Sequence, residues 1–140
     1  MRYQSRKSSC GPAALSNSLE AIGIKRTEDE LGVLSKQSTD GTSSTGLESA
    51  LRSIGVGFSR INERRREVAG WSLSAALRTG KSIVIIVDSF DHWVAVVGVL
   101  GERFVVVDSA DNDLLLFYST EEILSRWECD GKYYGIVVGE

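Results

Sequence analysis

The chain has 140 residues, of which 42% are hydrophobic and 25% charged, and its net charge is −3. This composition is typical of a globular protein and excludes a largely disordered chain. The length fits a single domain over residues 1–140, with a hydrophobic core large enough to be stable without disulfide bonds or a structural metal. A chain with this net negative charge lacks the positive surface potential that would attract nucleic acid, so we expect no nucleic-acid partner. The longest apolar runs are far shorter than the ~20 residues that cross a bilayer, and no signal peptide opens the chain, which predicts no membrane span and a cytoplasmic location.

The first third of the chain carries helix signals. Ser8 or Ser9 can cap a helix, Pro12 suits its first turn, and apolar residues follow at helical spacing. A second helix is predicted by the capping box Thr27-Glu28-Asp29-Glu30.

A third helix is predicted by a second capping box, Thr45-Gly46-Leu47-Glu48. Gly55 would close this helix, and Glu48 and Arg52 would pair across one turn. The pattern then indicates a short strand over 56–62 and a fourth helix over 71–78. The order so far is mainly helical.

The second half is dominated by valine- and isoleucine-rich runs that favour strands, at 83–87, 93–100 and 104–108. Gly101-Glu102 would join the last two as an antiparallel hairpin. A strand over 114–118, a short helix capped at Ser119 and a last strand over 133–138 complete the prediction. Helices first and sheet second predict an α+β fold with a C-terminal antiparallel sheet.

Cys10 stands where the first helix begins. The unpaired N–H groups and positive dipole end of a helix stabilise a thiolate there and can lower a cysteine pKa to roughly 3.5–7.5. His92, the chain's single histidine, lies at the head of a predicted strand. A cysteine at a helix start and a distant histidine form the arrangement that papain-like enzymes use. We therefore expect a cysteine peptidase or a close mechanistic relative.

Each candidate residue has a role in acyl transfer. Cys10 would attack an amide carbonyl, and His92 would serve as general base and then general acid. Asp108 would orient the imidazole, because the predicted hairpin sets it roughly opposite His92. The Gln4 amide could donate to the tetrahedral oxyanion beside the backbone N–H of Cys10. One histidine and two distant cysteines give no metal-ligand cluster, and we expect no cofactor.

Several motifs, in this order, resemble those of the bacteriocin-processing peptidases. The similarity rests on Gln4 and four segments: Cys10-Gly11-Pro12-Ala13-Ala14-Leu15, Gly41-Thr42-Ser43-Ser44-Thr45-Gly46-Leu47, His92-Trp93-Val94-Ala95-Val96 and Val107-Asp108-Ser109. Members of that family are papain-like domains at the front of peptidase-containing ABC transporters. The resemblance implies the four roles given above, cleavage after a Gly-Gly type pair ending a leader peptide, no cofactor, and a transporter or export partner.

The chain departs from this family at two positions beside the motifs. Ser9 stands where the family commonly has aspartate, and Ser109 stands where proline often follows the aspartate. The sequence also lacks transmembrane helices and a phosphate-binding glycine-rich loop, which predicts a free-standing peptidase domain.

Two other functions use the same residues. A deamidase, transglutaminase-like or amidase enzyme would need the same triad with another acceptor or leaving group, and a peptide-binding module would need no reactive thiol. Rapid modification of Cys10 would favour the enzymes over the module. The second cysteine, Cys129, is expected to be reduced and without a catalytic role.

Overall fold

The computed structural model describes residues 2–4, 9–36, 42–111 and 113–139. Its helices are α1 (Cys10–Ala21), α2 (Glu28–Leu34), α3 (Ser44–Ser53), α4 (Arg66–Arg78) and α5 (Thr120–Trp127). Its strands are β1 (Phe58–Glu63), β2 (Ser82–Val87), β3 (His92–Leu100), β4 (Arg103–Val107), β5 (Leu115–Tyr118) and β6 (Tyr133–Val138). None of the helices in these ranges is both long enough and apolar enough to cross a membrane.

The six strands form one antiparallel sheet in the order β1-β6-β2-β3-β4-β5. Alternate side chains of a strand point to opposite faces, and both faces of the central strands are apolar, as the run Ser82–Val87 shows. Helices α1, α2 and α3 cover one face, and α4 and α5 cover the other. The predicted α+β order, with helices before the sheet, is confirmed.

The start of α1 follows the sequence prediction in position but differs in its cap. Ser9 occupies the N-cap position of the helix, yet its side chain makes no capping hydrogen bond to the described first turn. Ser8, the alternative cap, lies outside the described residues. Pro12 falls in the first turn, where its missing N–H leaves no intrahelical bond unmade.

Helix α3 corrects two expectations. Its cap is Ser43, whose hydroxyl accepts a hydrogen bond from the Gly46 N–H at 3.1 Å, whereas the capping box predicted from Thr45 does not form. Glu48 does not pair with Arg52 but accepts two hydrogen bonds from Arg60 of β1. Glu48 is fully buried against the sheet, where only a residue brought there by tertiary folding can reach it.

Helix α4 begins five residues earlier than the sequence predicted, at Arg66 rather than Trp71. The added turn carries Ala69 into the core shared by α4, α5 and the sheet. Arg66 itself reaches the Glu121 carboxylate of α5 at 2.8 Å. The first residue of α4 therefore forms an inter-helix ion pair, a contact that the local pattern could not indicate.

Candidate active site

The thiol of Cys10 lies at the first residue of α1, on the face of the sheet that this helix covers. The next residue, Gly11, lets the start of α1 approach Thr42 and Trp93 closely. A Cβ at this position would lie 3.0 Å from the Thr42 Cβ and 3.4 Å from the Trp93 ring. Trp93 is buried, and its indole N–H donates to the Thr42 carbonyl at 3.1 Å. The small residue after Cys10 thus lets the helix start lie directly against β3.

His92 is the first residue of β3 and the partner of Cys10. The imidazole Nε2 lies 2.6 Å from Oδ1 of Asp108, and the ring is also hydrogen-bonded to Cys10. Because Nε2 faces Asp108, the ring nitrogen that remains for the thiol is Nδ1. The structure therefore brings Cys10, His92 and Asp108 into one hydrogen-bonded series.

The strand register that brings His92 and Asp108 together differs from the simple hairpin expectation. An irregularity between Val96 and Gly98 shifts the β3–β4 pairing, which ends at Ala95 opposite Val107. Continuing that register would set Asp108 across from Val94, so the two residues are diagonal neighbours rather than opposite ones. The imidazole spans this offset, since diagonal positions remain within reach of long or aromatic side chains.

Asp108 is almost fully buried, and several donors hold its carboxylate. Oδ1 faces His92 and also accepts the Ala110 N–H at 3.0 Å, while Oδ2 accepts from Arg126 at 2.8 Å. Burial alone would raise the pKa of Asp108, but the hydrogen bonds to His92, Arg126 and Ala110 outweigh it and hold that pKa well below its usual range. The carboxylate is therefore ionised at neutral pH.

The thiol and the imidazole shift each other's protonation. Burial would raise the pKa of Cys10, but hydrogen bonds from His92 and from the backbone N–H groups of Trp93 and Gly11 lower it below its ordinary value. Burial would lower the pKa of His92, but the hydrogen bonds to Asp108 and Cys10 raise it to about 9. The arrangement favours a thiolate beside an imidazolium, which is the form of a reactive cysteine.

Gln4 docks beside the end of β4. Its backbone N–H donates to the Ser109 carbonyl at 3.1 Å, and its side-chain Oε1 accepts the Ser109 hydroxyl at 2.8 Å. Fixing Oε1 also fixes the direction of the amide NH₂ on the same planar group. Ser109, the residue that departs from the resembled family's proline, thus orients Gln4 in this chain.

Arg126 is a residue of this site that the sequence did not indicate. It lies in the last turn of α5, where a basic side chain is ordinary because the helix dipole favours it. Nothing in the local pattern showed that its guanidinium reaches Asp108. Among the described residues, no three histidine, cysteine or acidic side chains are grouped to hold a metal ion.

The family of the chain follows from a sequence comparison that covers most of its length. The family model described as the peptidase C39 family matches residues 1–132. The chain belongs to the peptidase C39 family. It is therefore a cysteine peptidase. No curated protein sequence matches this C39 peptidase.

Solved structures similar to this C39 peptidase share its fold. The peptidase domain of Streptococcus ComA, a bifunctional ABC transporter of a quorum-sensing pathway, is 19% identical over 99% of this chain and 96% of its own, with a TM-score of 0.72. A double-glycine-motif protease from an AMS/PCAT transporter, in complex with the leader peptide, is 18% identical over 99% and 89%, with a TM-score of 0.75. A C39-like peptidase from Bacillus anthracis is 14% identical over 100% and 94%, with a TM-score of 0.76. The papain-like α+β peptidase fold is confirmed.

Proposed function

We propose that this C39 peptidase hydrolyses a peptide bond with Cys10 as nucleophile, His92 as general base and acid, and Asp108 as the group that orients the imidazole. The observation that carries the proposal is the hydrogen-bonded series from Cys10 through His92 to Asp108 at a helix start. A thiol, an imidazole and a buried carboxylate in that sequence supply the nucleophile, the proton carrier and the orienting anion that acyl transfer needs.

The acylation step follows from these positions. The Cys10 thiolate attacks the carbonyl carbon of the scissile bond, and the carbonyl oxygen takes the negative charge of the tetrahedral intermediate. The backbone N–H of Cys10 and the amide NH₂ of Gln4 donate to that oxygen, whose stabilisation by one such donor is typically worth about 10²–10³ in rate. His92 gives its proton to the leaving amine, the C–N bond breaks, and a thioester to Cys10 remains.

Deacylation reuses the same groups. Neutral His92 takes a proton from water, the hydroxide adds to the thioester carbonyl, and the C–S bond breaks to restore the thiolate and the imidazolium. Asp108 keeps its charge throughout, because His92 and Arg126 stabilise the ionised carboxylate. Bonds and protons balance with water as the single co-reactant.

The substrate we propose is a peptide cleaved after a Gly-Gly type pair that ends a leader segment, and the proposed partner is a transporter or export component. The support is the family together with the neighbours, one of which is a double-glycine-motif protease bound to its leader peptide and another part of an ABC transporter.

The test uses one peptide that contains a Gly-Gly pair between leader-like and cargo-like segments, and a matched peptide with Val-Val at that position. The native chain, Cys10→Ala and the matched thiol variant Cys129→Ser are incubated with each, and products are read by mass spectrometry. We expect cleavage after Gly-Gly by the native chain and by Cys129→Ser, and none by Cys10→Ala, which removes little volume and should remain folded.

Cleavage by Cys10→Ala would overturn the assignment of the nucleophile. Equal cleavage of the Val-Val peptide would overturn the Gly-Gly specificity while the peptidase mechanism stands. Conversion of a glutamine side chain to glutamate without backbone cleavage would instead identify a deamidase that uses the same triad.

A further inference from the structure

Arg126 contacts two carboxylates and one phenol at the end of the sheet that holds the site. Its Nη2 donates to Asp108 Oδ2 at 2.8 Å and to Asp88 Oδ2 at 3.0 Å. Its Nε donates to Asp88 Oδ1 at 3.1 Å, and its Nη1 donates to the Tyr118 hydroxyl at 3.1 Å. The side chain is 22% exposed, so these partners replace most of its water. One guanidinium therefore links the β2–β3 loop, the end of β4 and β5.

The Asp88 contact fastens the loop that leads directly into His92. Asp88, Ser89 and Phe90 have φ angles of 54°, 58° and 65°, three successive residues in the left-handed region. This backbone is sterically disfavoured for residues that carry a Cβ, and it persists only where surrounding contacts hold it. Several contacts do so here: Arg126 holds the Asp88 carboxylate, the buried Cys129 sulfur accepts the Phe90 N–H at 3.3 Å, and the Asp91 N–H donates to the Val87 carbonyl at 3.1 Å. Without the first contact, the loop loses a restraint four residues before His92.

The Asp108 contact fixes the other partner of the imidazole. Oδ1 of Asp108 faces His92, and the rotation of that carboxylate is limited by the donors on its two oxygens. Arg126 is the donor on Oδ2. Removing it would leave the carboxylate held from the Oδ1 side, so that Oδ1 could turn away from Nε2.

We propose that Arg126 is a positioning residue of the peptidase, which aims Asp108 at His92 and fastens the 88–91 loop that sets where His92 begins β3. The proposal rests on the proposed function of the Cys10–His92–Asp108 series. Arginine is the side chain suited to this position, because its planar fork reaches two carboxylates at once and a lysine ammonium cannot reproduce that geometry.

Charge and position predict opposite effects on the pKa of the His92 imidazole, which makes them separable. The groups facing Arg126 are Asp88 from the loop, Asp108 after β4 and Tyr118 from β5, with His92 beyond Asp108. If Arg126 acted by charge alone, its removal would relieve repulsion on the imidazolium and raise the pKa of His92. If it acts by position, its removal misaligns Asp108, weakens the stabilisation of the imidazolium and lowers the pKa of His92.

The kinetic test is a double-mutant cycle with Arg126→Met, Asp108→Asn and the double variant, read as kcat and KM on the Gly-Gly peptide. We expect Arg126→Met to lower kcat by about tenfold or more with little change in KM, since a small misplacement of catalytic groups can cost ~10²-fold. Because part of the Arg126 effect runs through Asp108, the loss of kcat in the double variant should be smaller than the product of the two single losses. Arg126→Lys, which keeps the charge and lowers the risk of misfolding, should fall between the native chain and Arg126→Met.

The matched control is Arg103→Met. Arg103 also donates to a carboxylate of α5, Glu122, at 3.2 Å, but it lies on the exposed side and contacts none of the triad. This variant removes an inter-element arginine contact without touching the site, and kcat should remain that of the native chain.

A second readout needs no peptide substrate and separates this proposal from the proposed function. In an NMR titration of His92, the single histidine of the chain, Arg126→Met should lower the pKa of the imidazole, in the same direction as Asp108→Asn. A chain that cleaves no Gly-Gly peptide but shows this shift would overturn the substrate and leave the positioning role in place. An unchanged or raised pKa of His92, an unchanged kcat in a folded Arg126→Met, or a double variant whose loss of kcat equals the product of the two single losses would overturn the positioning role.

Discussion

Two buried carboxylates, Glu48 and Asp108, are each held by an arginine, but they are used in different ways. Glu48 of α3 gives both oxygens to one guanidinium, that of Arg60 in β1, with N–O distances of 2.5 and 2.6 Å. Asp108 divides its oxygens, one toward His92 and one toward Arg126. Among the described residues, Arg60 is the charged partner of the Glu48 carboxylate, whereas Asp108 keeps one oxygen for His92, a group that changes its charge.

The difference shows how a buried anion can serve structure or catalysis. A carboxylate saturated by a forked guanidinium is a fixed link between a helix and a strand, here α3 and β1. A carboxylate shared between an arginine and an imidazole stays ionised and can stabilise the positive charge that forms on the imidazole. Substitutions at the first site should affect mainly stability, and substitutions at the second mainly the chemical step.

The largest effect is expected from Asp108→Asn. The asparagine NH₂ would face either His92 or Arg126, both of which are donors, so the imidazole loses its anionic partner. We expect kcat to fall on the order of 10²-fold or more while partial activity remains through the Cys10–His92 pair. Peptide cleavage assays measure this, with Asp29→Asn, at an exposed position of α2, as the control. Full activity in Asp108→Asn would mean that another residue orients the imidazole.

The next effect is a loss of cleavage at alkaline pH. The pKa of His92 is raised to about 9, so its proton, which the leaving amine needs, is lost as the pH rises through that value. Cleavage should therefore fall above pH about 9, whereas Cys10 alkylation should not, because the thiolate persists there. Protonated His92 also stabilises the folded state. This contribution is fully present below the ordinary histidine pKa of 6.5 and is lost as the pH rises through about 9. Cleavage that stays constant beyond that range would contradict the role of His92 as general acid.

A smaller effect, on stability rather than rate, is expected from Arg60→Met. This change leaves the buried Glu48 carboxylate without its guanidinium, and an uncompensated buried charge is destabilising. We expect the midpoint of thermal unfolding to fall by several degrees and kcat of the folded chain to stay unchanged. Arg26→Met removes the exposed Arg26–Glu30 pair and should change neither quantity, since exposed pairs contribute little. A large loss of kcat in Arg60→Met would remove the distinction between the two carboxylates.

The sequence predicted those features that local patterns encode. Capping residues and helical spacing located α1, α2 and α5, and valine-rich runs located β2, β3 and β4. Cys10, His92 and Asp108 could be predicted because few residue types can serve as nucleophile, base and orienting carboxylate. The predicted hairpin also brought His92 and Asp108 near each other. The structure places these three in hydrogen-bonded contact.

The features that sequence reasoning missed are contacts between distant parts of the chain. Glu48 was assigned to Arg52 because helical spacing favours that pair, but the burial of α3 against β1 brought Arg60 to it instead. Arg126 resembled an ordinary surface residue of an amphipathic helix, and only the docking of α5 placed it on Asp108 and Asp88. The early start of α4 likewise involves distant contacts, since its added first turn buries Ala69 in the core and Arg66 pairs with Glu121 of α5.

The most direct test of the Cys10–His92 pair is the pH dependence of Cys10 alkylation by iodoacetamide, measured by mass spectrometry. Cys129→Ser serves as the background, because it removes the other thiol and its hydroxyl can still accept the Phe90 N–H. We expect fast labelling that persists well below pH 8 in this background and is lost when His92→Ala is added, since the imidazolium lowers the pKa of the thiol. Slow labelling with an ordinary thiol profile, unchanged by His92→Ala, would contradict the pair and leave the chain without an activated nucleophile.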